Sequence, residues 1–95
     1  MAISGQKAIA TAGTELALVA ASTPANCAVA IKALPANTGV MYVGWTTPGV
    51  VSSTTGFPLS ASEVIVLEHV ADLKDIMVDA SVNGEGVAWL LLGGI

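Results

Sequence analysis

Charge is what this sequence lacks most. Charged residues make up 11% of the 95 residues, less than half of the usual share, and the only strong cations are Lys7, Lys32 and Lys74, because arginine is absent. Sequence-independent nucleic-acid binding relies on clustered Lys and Arg, so we expect no nucleic-acid partner. A free monomer needs a charged, mixed surface to stay dispersed. Together with 54% hydrophobic residues, the low charge predicts either a membrane protein or a surface covered by partner subunits.

A long hydrophobic run is also missing. A spanning helix needs about 20 consecutive apolar residues, whereas the longest candidate, 86–95, has ten residues and includes three glycines. The apolar stretch 16–21 is a poor secretory signal, because Gly13 and Glu15 interrupt the sequence before it. We therefore expect no membrane association, which leaves coverage by partner subunits as the explanation of the composition.

Residues that carry chemistry are scarce. One histidine, His69, and one cysteine, Cys27, cannot supply a zinc site. Asp72, Asp75 and Asp79 lack the spacing of a calcium-binding loop. No serine lies in a Gly-x-Ser-x-Gly turn, and the strand pattern implies no carboxylate that would orient the histidine for acid–base catalysis. The sequence therefore predicts no catalytic residue, no metal site, no cofactor and no enzymatic activity.

Short β-rich runs separated by turn residues fill the chain. The turns at Pro35–Gly39 and Asn83–Gly84 each have the chemistry of a hairpin, so we predict that the runs on either side of each turn pair with one another. The predicted strands cover 7–11, 15–20, 27–34, 40–45, 63–70, 76–82 and 86–92, with a further short one at 50–51 inside the long 46–58 connection. The pattern predicts one all-β domain over residues 1–95, a small β-sandwich or barrel of about seven or eight short antiparallel strands, with residues 1–6 as a candidate N-terminal arm.

Two of these strands are apolar on both faces. Val64 and Val66 point away from Ile65 and Leu67 in one strand, and residues 87–92 repeat this pattern in another. Because an antiparallel sheet usually exposes one face to water, such strands need a second covering layer. We favour contact with other subunits as that layer. The alternative is that the 46–58 loop folds over the exposed face.

The candidate contact residues follow from these patterns. Trp45 lies at a strand end before a Thr- and Pro-containing loop, where an aromatic side chain can anchor an interface. Ile3 lies in the candidate arm, which could add as a strand to the edge of a partner's sheet. The full set of predicted contact residues is Ile3, Trp45, Ile65, Leu67, Trp89, Leu90, Leu91 and Leu92.

One stretch resembles a known group of proteins. Ile31 to Gly44, IKALPANTGVMYVG, is similar to a motif of small virion proteins of tailed bacteriophages, in which a strand, an Asn-containing turn and a return strand follow one another. The likeness continues in order through Leu59, residues 63–67, DLKDI at 72–76 and NGEGV at 83–87, and it covers roughly residues 27 to 92.

The resemblance implies a capsid decoration, or cement, protein made in the host cytoplasm and located on the capsid surface of the virion. Its expected partners are the major capsid protein and itself, as a homo-oligomer that we expect to be a trimer bridging neighbouring capsomers. A head–tail or tail component is the alternative within virion proteins. From a different class, a sugar-binding β-module could use Trp45 beside Thr46 and Thr47.

Overall fold

The computed structural model describes residues 4–45 and 50–93. The strands are β1 Ser4–Ala8, β2 Leu16–Ala17, β3 Pro24–Ala33, β4 Met41–Trp45, β5 Phe57–Leu59, β6 Val64–Asp72, β7 Ile76–Ala80 and β8 Gly86–Leu91, with one 3-10 turn at Leu73–Asp75. They form two antiparallel sheets, sheet A in the order β1-β8-β3-β6 and sheet B in the order β2-β7-β4-β5. The predicted all-β fold of about eight short strands is confirmed, and its two sheets are those of a small β-sandwich.

The hydrophobic core takes alternate residues from both sheets. Ile31 and Trp89 of sheet A and Met41 and Val78 of sheet B all belong to one buried cluster. Full burial of such a side chain contributes about 1.5–3 kcal/mol, so this cluster holds the two sheets together. The opposite faces of the same strands form the outer surfaces of the sandwich. These outer surfaces are available for contacts wherever no other part of the chain covers them.

Both predicted hairpins are wrong. β3 and β8 lie in sheet A, whereas β4 and β7 lie in sheet B, so each of the two turns carries the chain across the sandwich. The Asn37 side chain donates its Nδ2–H to the Gly86 carbonyl at 2.9 Å, which ties the first turn to the start of β8. In the second turn Gly84 has φ 82° but Asn83 does not have positive φ, whereas the predicted hairpin turn needs positive φ at both residues.

The long connection contains a strand that the sequence did not predict. β5 pairs with β4 from Met41↔Leu59 to Val43↔Phe57, whereas Val50–Val51, the short strand predicted there, is not in a strand. Pro58 lacks a backbone N–H, which an edge strand tolerates because one side of it makes no ladder bonds. The β4–β5 pair is the single connection between described consecutive strands that stays within one sheet.

The start of the chain is also different from the prediction. Residues 4–8, not 7–11, form β1, which pairs with β8 at the edge of sheet A. Gly5 lies opposite Trp89, and a Cβ added at Gly5 would lie 2.7 Å from the indole Cζ2. Residues 4–6 of the candidate arm are therefore part of the sandwich, while residues 1–3, including Ile3, lie outside the described residues.

Candidate interaction surface

The outer face of sheet A is apolar and exposed. Ala30 of β3 lies between Val66 of β6 and Leu90 of β8 in one row across three strands. Val64 on β6 and Leu92, whose N–H donates to the Ala28 carbonyl at 2.8 Å, extend the apolar surface to either side. The exposed fractions are 54% for Val64, 50% for Val66, 46% for Leu90 and 47% for Leu92. We call these four side chains, with Ala28 and Ala30 between them, the outer patch.

Charge on this face is sparse. Lys32 lies opposite Val64 within the sheet, and its side chain is exposed. Glu68 and His69 are both exposed where β6 has a bulge: two β6 residues lie opposite the single residue Ala28, between the pairs Cys27↔Val70 and Val29↔Leu67. Because large contiguous apolar patches on a protein surface often mark interaction sites, the outer patch is the strongest indication of such a site in the described residues.

The long loop covers sheet B, not sheet A. Val51 is buried against Gly44 of β4, where an added Cβ would lie 2.7 Å from Val51 Cγ2. The Val51 N–H also donates to the Glu15 carboxylate, which fixes the loop beside the β1–β2 connection. The described part of this loop, residues 50–56, therefore packs on the outer face of sheet B. This rules out the described loop as the layer that covers Val66 and Leu90.

A second apolar feature lies beside β6. A cleft of about 270 Å³ opens between β4–β5 of sheet B and β6 of sheet A. Trp45 and Phe57 are both exposed at its rim. Its lining residues are Val43, Gly44, Trp45, Thr55, Phe57, Ile65 and Leu67. We call it the aromatic cleft; because it shares β6 with the outer patch, the two features form one apolar surface that wraps around this strand.

A polar cleft of about 390 Å³ lies on the outer face of sheet B. Its most buried polar group is Asp79, whose Oδ1 accepts hydrogen bonds from the N–H groups of Gly13 at 3.0 Å and Ala80 at 2.7 Å. These bonds give the carboxylate a structural role, holding the Ala12–Gly13 turn on β7. Ser52, Ser53 and Ser81 also line this cleft, whereas His69 lies on sheet A, so the fold does not bring the histidine together with these hydroxyls.

Two carboxylates fix the turns that connect the sheets. Glu85 accepts from the Thr38 N–H, the Thr38 hydroxyl at 2.8 Å and the Gly39 N–H at 2.8 Å. The hydrogen bond from the Thr38 N–H is the main cause that lowers the pKa of Glu85 below its ordinary value of 4.5. Asp72 accepts from the Ser22 hydroxyl, the main cause that lowers its own pKa, and from the Lys74 and Thr23 N–H groups.

The structure separates the predicted contact residues into two groups. Leu90, Leu92 and Trp45 are exposed, and Ile65 and Leu67 are half-buried in the lining of the aromatic cleft. Trp89 and Leu91 are buried in the core between the sheets, so their side chains do not reach the surface of the described fold. Five of the eight candidates thus lie on or beside one surface around β6 and β8, and Ile3 lies outside the described residues.

Sequence reasoning left three exposed residues of this surface out of the predicted contacts. Val64 and Val66 belong to the outer patch, and the alternation of β6 had separated them from Ile65 and Leu67 without indicating which pair faces the core. Phe57 lies in the long 46–58 connection, where the sequence predicts a strand only at 50–51. Pro58 argues against a strand here, whereas the alternation of Phe57 and Leu59 is the signal that favours one.

Comparisons with protein-family models, with curated proteins and with solved structures found no match to this chain. Among the described residues, no helix has the length and apolar character needed to cross a membrane. No group of three or more His, Cys, Asp or Glu side chains placed to hold a metal ion occurs within residues 4–45 and 50–93.

Proposed function

We propose that this chain is a virion structural protein of the capsid-decoration type, which binds the assembled head through the outer patch and so stabilises it. The observation that carries the proposal is an apolar face that the described chain leaves uncovered, on strands whose other face is already in the core. A subunit that binds the assembled shell and not its separated parts stabilises the shell by mass action. The similarity of residues 27 to 92 to small virion proteins supports the head as the partner.

The outer patch sets the scale of the attachment. Val64, Val66, Leu90 and Leu92 are each about half exposed, so completing their burial would contribute about 1 kcal/mol each, or about 4 kcal/mol together. That energy is no larger than the roughly 4–15 kcal/mol of translational and rotational freedom that association costs. Attachment of one isolated copy through these four side chains is therefore weak. Several copies held together would bind far more tightly, because the second contact becomes intramolecular.

The test uses heads assembled from a major capsid protein encoded in the same genome as this chain. Purified chain is mixed with these heads and sedimented; the unaltered chain should co-sediment, and Leu90→Lys should remain in the supernatant. Gln6→Lys is the matched control, because Gln6 is exposed on the same face at the far edge strand and the charge change is identical. Failure of the unaltered chain to sediment with heads, or equal binding by Leu90→Lys, contradicts the proposal. Binding to purified tails instead would assign the chain to the head–tail or tail class.

Within residues 4–45 and 50–93, the aromatic cleft is the one feature that favours a sugar-binding module. Trp45 and Phe57 are exposed, and Thr55 lies beside them. The remaining lining residues are apolar or glycine, whereas a sugar needs several hydrogen-bonding groups next to its stacking platform. Titration of a glycan panel with Trp fluorescence as the readout separates the two functions. A saturable change that Phe57→Ala abolishes, with Trp45 kept as the reporter, would favour the sugar module over the capsid contact.

A further inference from the structure

Three of the four sheet edges are protected against pairing with another strand. β2 has two residues, and β5 has three residues including Pro58. β1 is polar, and its Lys7 lies opposite the buried Val87, which places a charge on the inner face of an edge strand. Short strands, proline and inward-pointing charges are the devices with which natural proteins prevent edge-to-edge association.

The fourth edge lacks these three devices, and its bulge at Glu68 and His69 leaves the stretch Val64–Leu67 regular. β6 has nine residues without proline or lysine, and its stretch Val64–Leu67 is entirely apolar up to the bulge at Glu68 and His69. β3 pairs with one side of β6, and no described strand pairs with the other. The aromatic cleft opens beside this free edge and exposes Trp45 and Phe57. A strand added here would need apolar side chains on both faces, one set for the cleft and one for the outer patch.

We propose that the added strand is β6 of a second copy of this chain, paired antiparallel across a two-fold axis at Val66. Residues directly opposite in such a pair lie on the same face, so Val66 would face its own copy and Ile65 would face Leu67 of the second copy. This pairing joins the two copies of sheet A into one eight-stranded sheet with a doubled outer patch. It deepens the proposed function by naming the partner of β6.

Charge complementarity selects this register. Pairing about Val66 places Glu68 of the second copy opposite Val64, whose neighbour on the other side is Lys32. The lysine stem can extend over Val64 so that its ammonium group reaches the glutamate, and the two-fold axis repeats the contact. Exposed ion pairs add little affinity, so these contacts set the register while apolar burial supplies the binding energy. A two-fold contact of this kind closes as a dimer, in place of the trimer that the sequence led us to expect.

The decisive measurement is sedimentation equilibrium of the purified full chain at micromolar concentration, with no capsid present. We expect the unaltered chain and Leu90→Lys to be dimers. Val66→Lys should be a folded monomer, because its dimer dissociation constant should be at least tenfold higher than that of the unaltered chain. Val66 and Leu90 are matched in exposure and flank Ala30 on the same face, but Val66 alone is on the edge strand. A monomeric or trimeric unaltered chain, or an equally stable Val66→Lys dimer, would overturn the proposal.

A charge exchange tests the register without placing a charge among the apolar residues of the edge. Glu68→Lys should weaken the dimer about threefold to tenfold, and the double change Lys32→Glu with Glu68→Lys should restore it. No weakening, or no restoration, overturns the Val66-centred register. The head-binding test remains separate: a dimer that fails to bind heads contradicts the proposed function alone, and head binding by a monomer contradicts the dimer alone.

Discussion

Leu90 and Leu91 are adjacent in sequence but point to opposite sides of sheet A. Leu90 is 46% exposed in the outer patch, whereas Leu91 is 6% exposed in the core. Replacing each with aspartate therefore applies one chemical change to two environments. Aspartate is the informative substitution because it has no long stem with which to carry its charge to water, as lysine has.

The expected cost at Leu91 is close to the whole stability of the domain. Truncating a buried leucine costs about 2–5 kcal/mol, and burying an unpaired carboxylate costs several kcal/mol more. Single domains have about 5–15 kcal/mol of stability, so Leu91→Asp should be largely unfolded. At Leu90 the loss is partial burial and strand preference, about 1–2 kcal/mol, and Leu90→Asp should stay folded.

Urea unfolding followed by tryptophan fluorescence measures both effects, because buried Trp89 reports on the core. Leu90→Asp should shift the midpoint while leaving the slope of the unfolding free energy with urea unchanged. Leu91→Asp should show unfolded fluorescence without denaturant. Equal destabilisation by the two substitutions would refute the assignment of the faces, and with it the outer patch.

Three further predictions concern the edge, the turns and the attachment. Gly5→Ala should destabilise the fold by about 1–3 kcal/mol in urea, because its methyl group would overlap the Trp89 ring, and an unchanged midpoint would contradict that contact. Because folding lowers the pKa of Glu85, the stabilising effect of this carboxylate is complete above the ordinary value of 4.5 and is lost as the pH falls through the lowered pKa. Thermal melts from pH 7 to 3 should therefore show a smaller acid-dependent loss of stability for Glu85→Gln than for the unaltered chain. Parallel losses for the two proteins would disprove this role of Glu85. Raising salt from about 0.05 to 1 M, where the Debye length falls to about 3 Å, should not release the chain from heads, since the outer patch is apolar, and release would indicate an electrostatic contact.

Local turn chemistry predicted where the chain turns but not where it goes next. The turns at Pro35–Gly39 and Asn83–Gly84 both exist, yet each leads to the opposite sheet. The contacts that decide this join residues nearly fifty positions apart, such as Asn37 with Gly86. A hairpin and a crossing connection use similar turn residues, so the local sequence does not distinguish them.

Which side chains on the outer faces are buried also depends on tertiary contacts. Asp79 lies between the core residues Val78 and Ala80 on β7, so alternation directs its side chain to the outer face of sheet B, which usually meets water. The structure buries it because the Ala12–Gly13 turn closes over it and Gly13 donates to its carboxylate. On sheet A no described segment covers Val66 and Leu90, although their strands alternate in the same way.

Side-chain alternation with a period of two is a local property of the chain, so the sequence alone was enough to predict the all-β class, the approximate number of strands and two strands that are apolar on both faces. Which face of β6 and β8 meets the core depends on their register with β3, and which outer face the 50–56 loop covers depends on Val51 packing against Gly44. These are contacts between distant residues, so local alternation predicts neither that the loop covers sheet B nor that the described chain leaves the outer patch of sheet A uncovered.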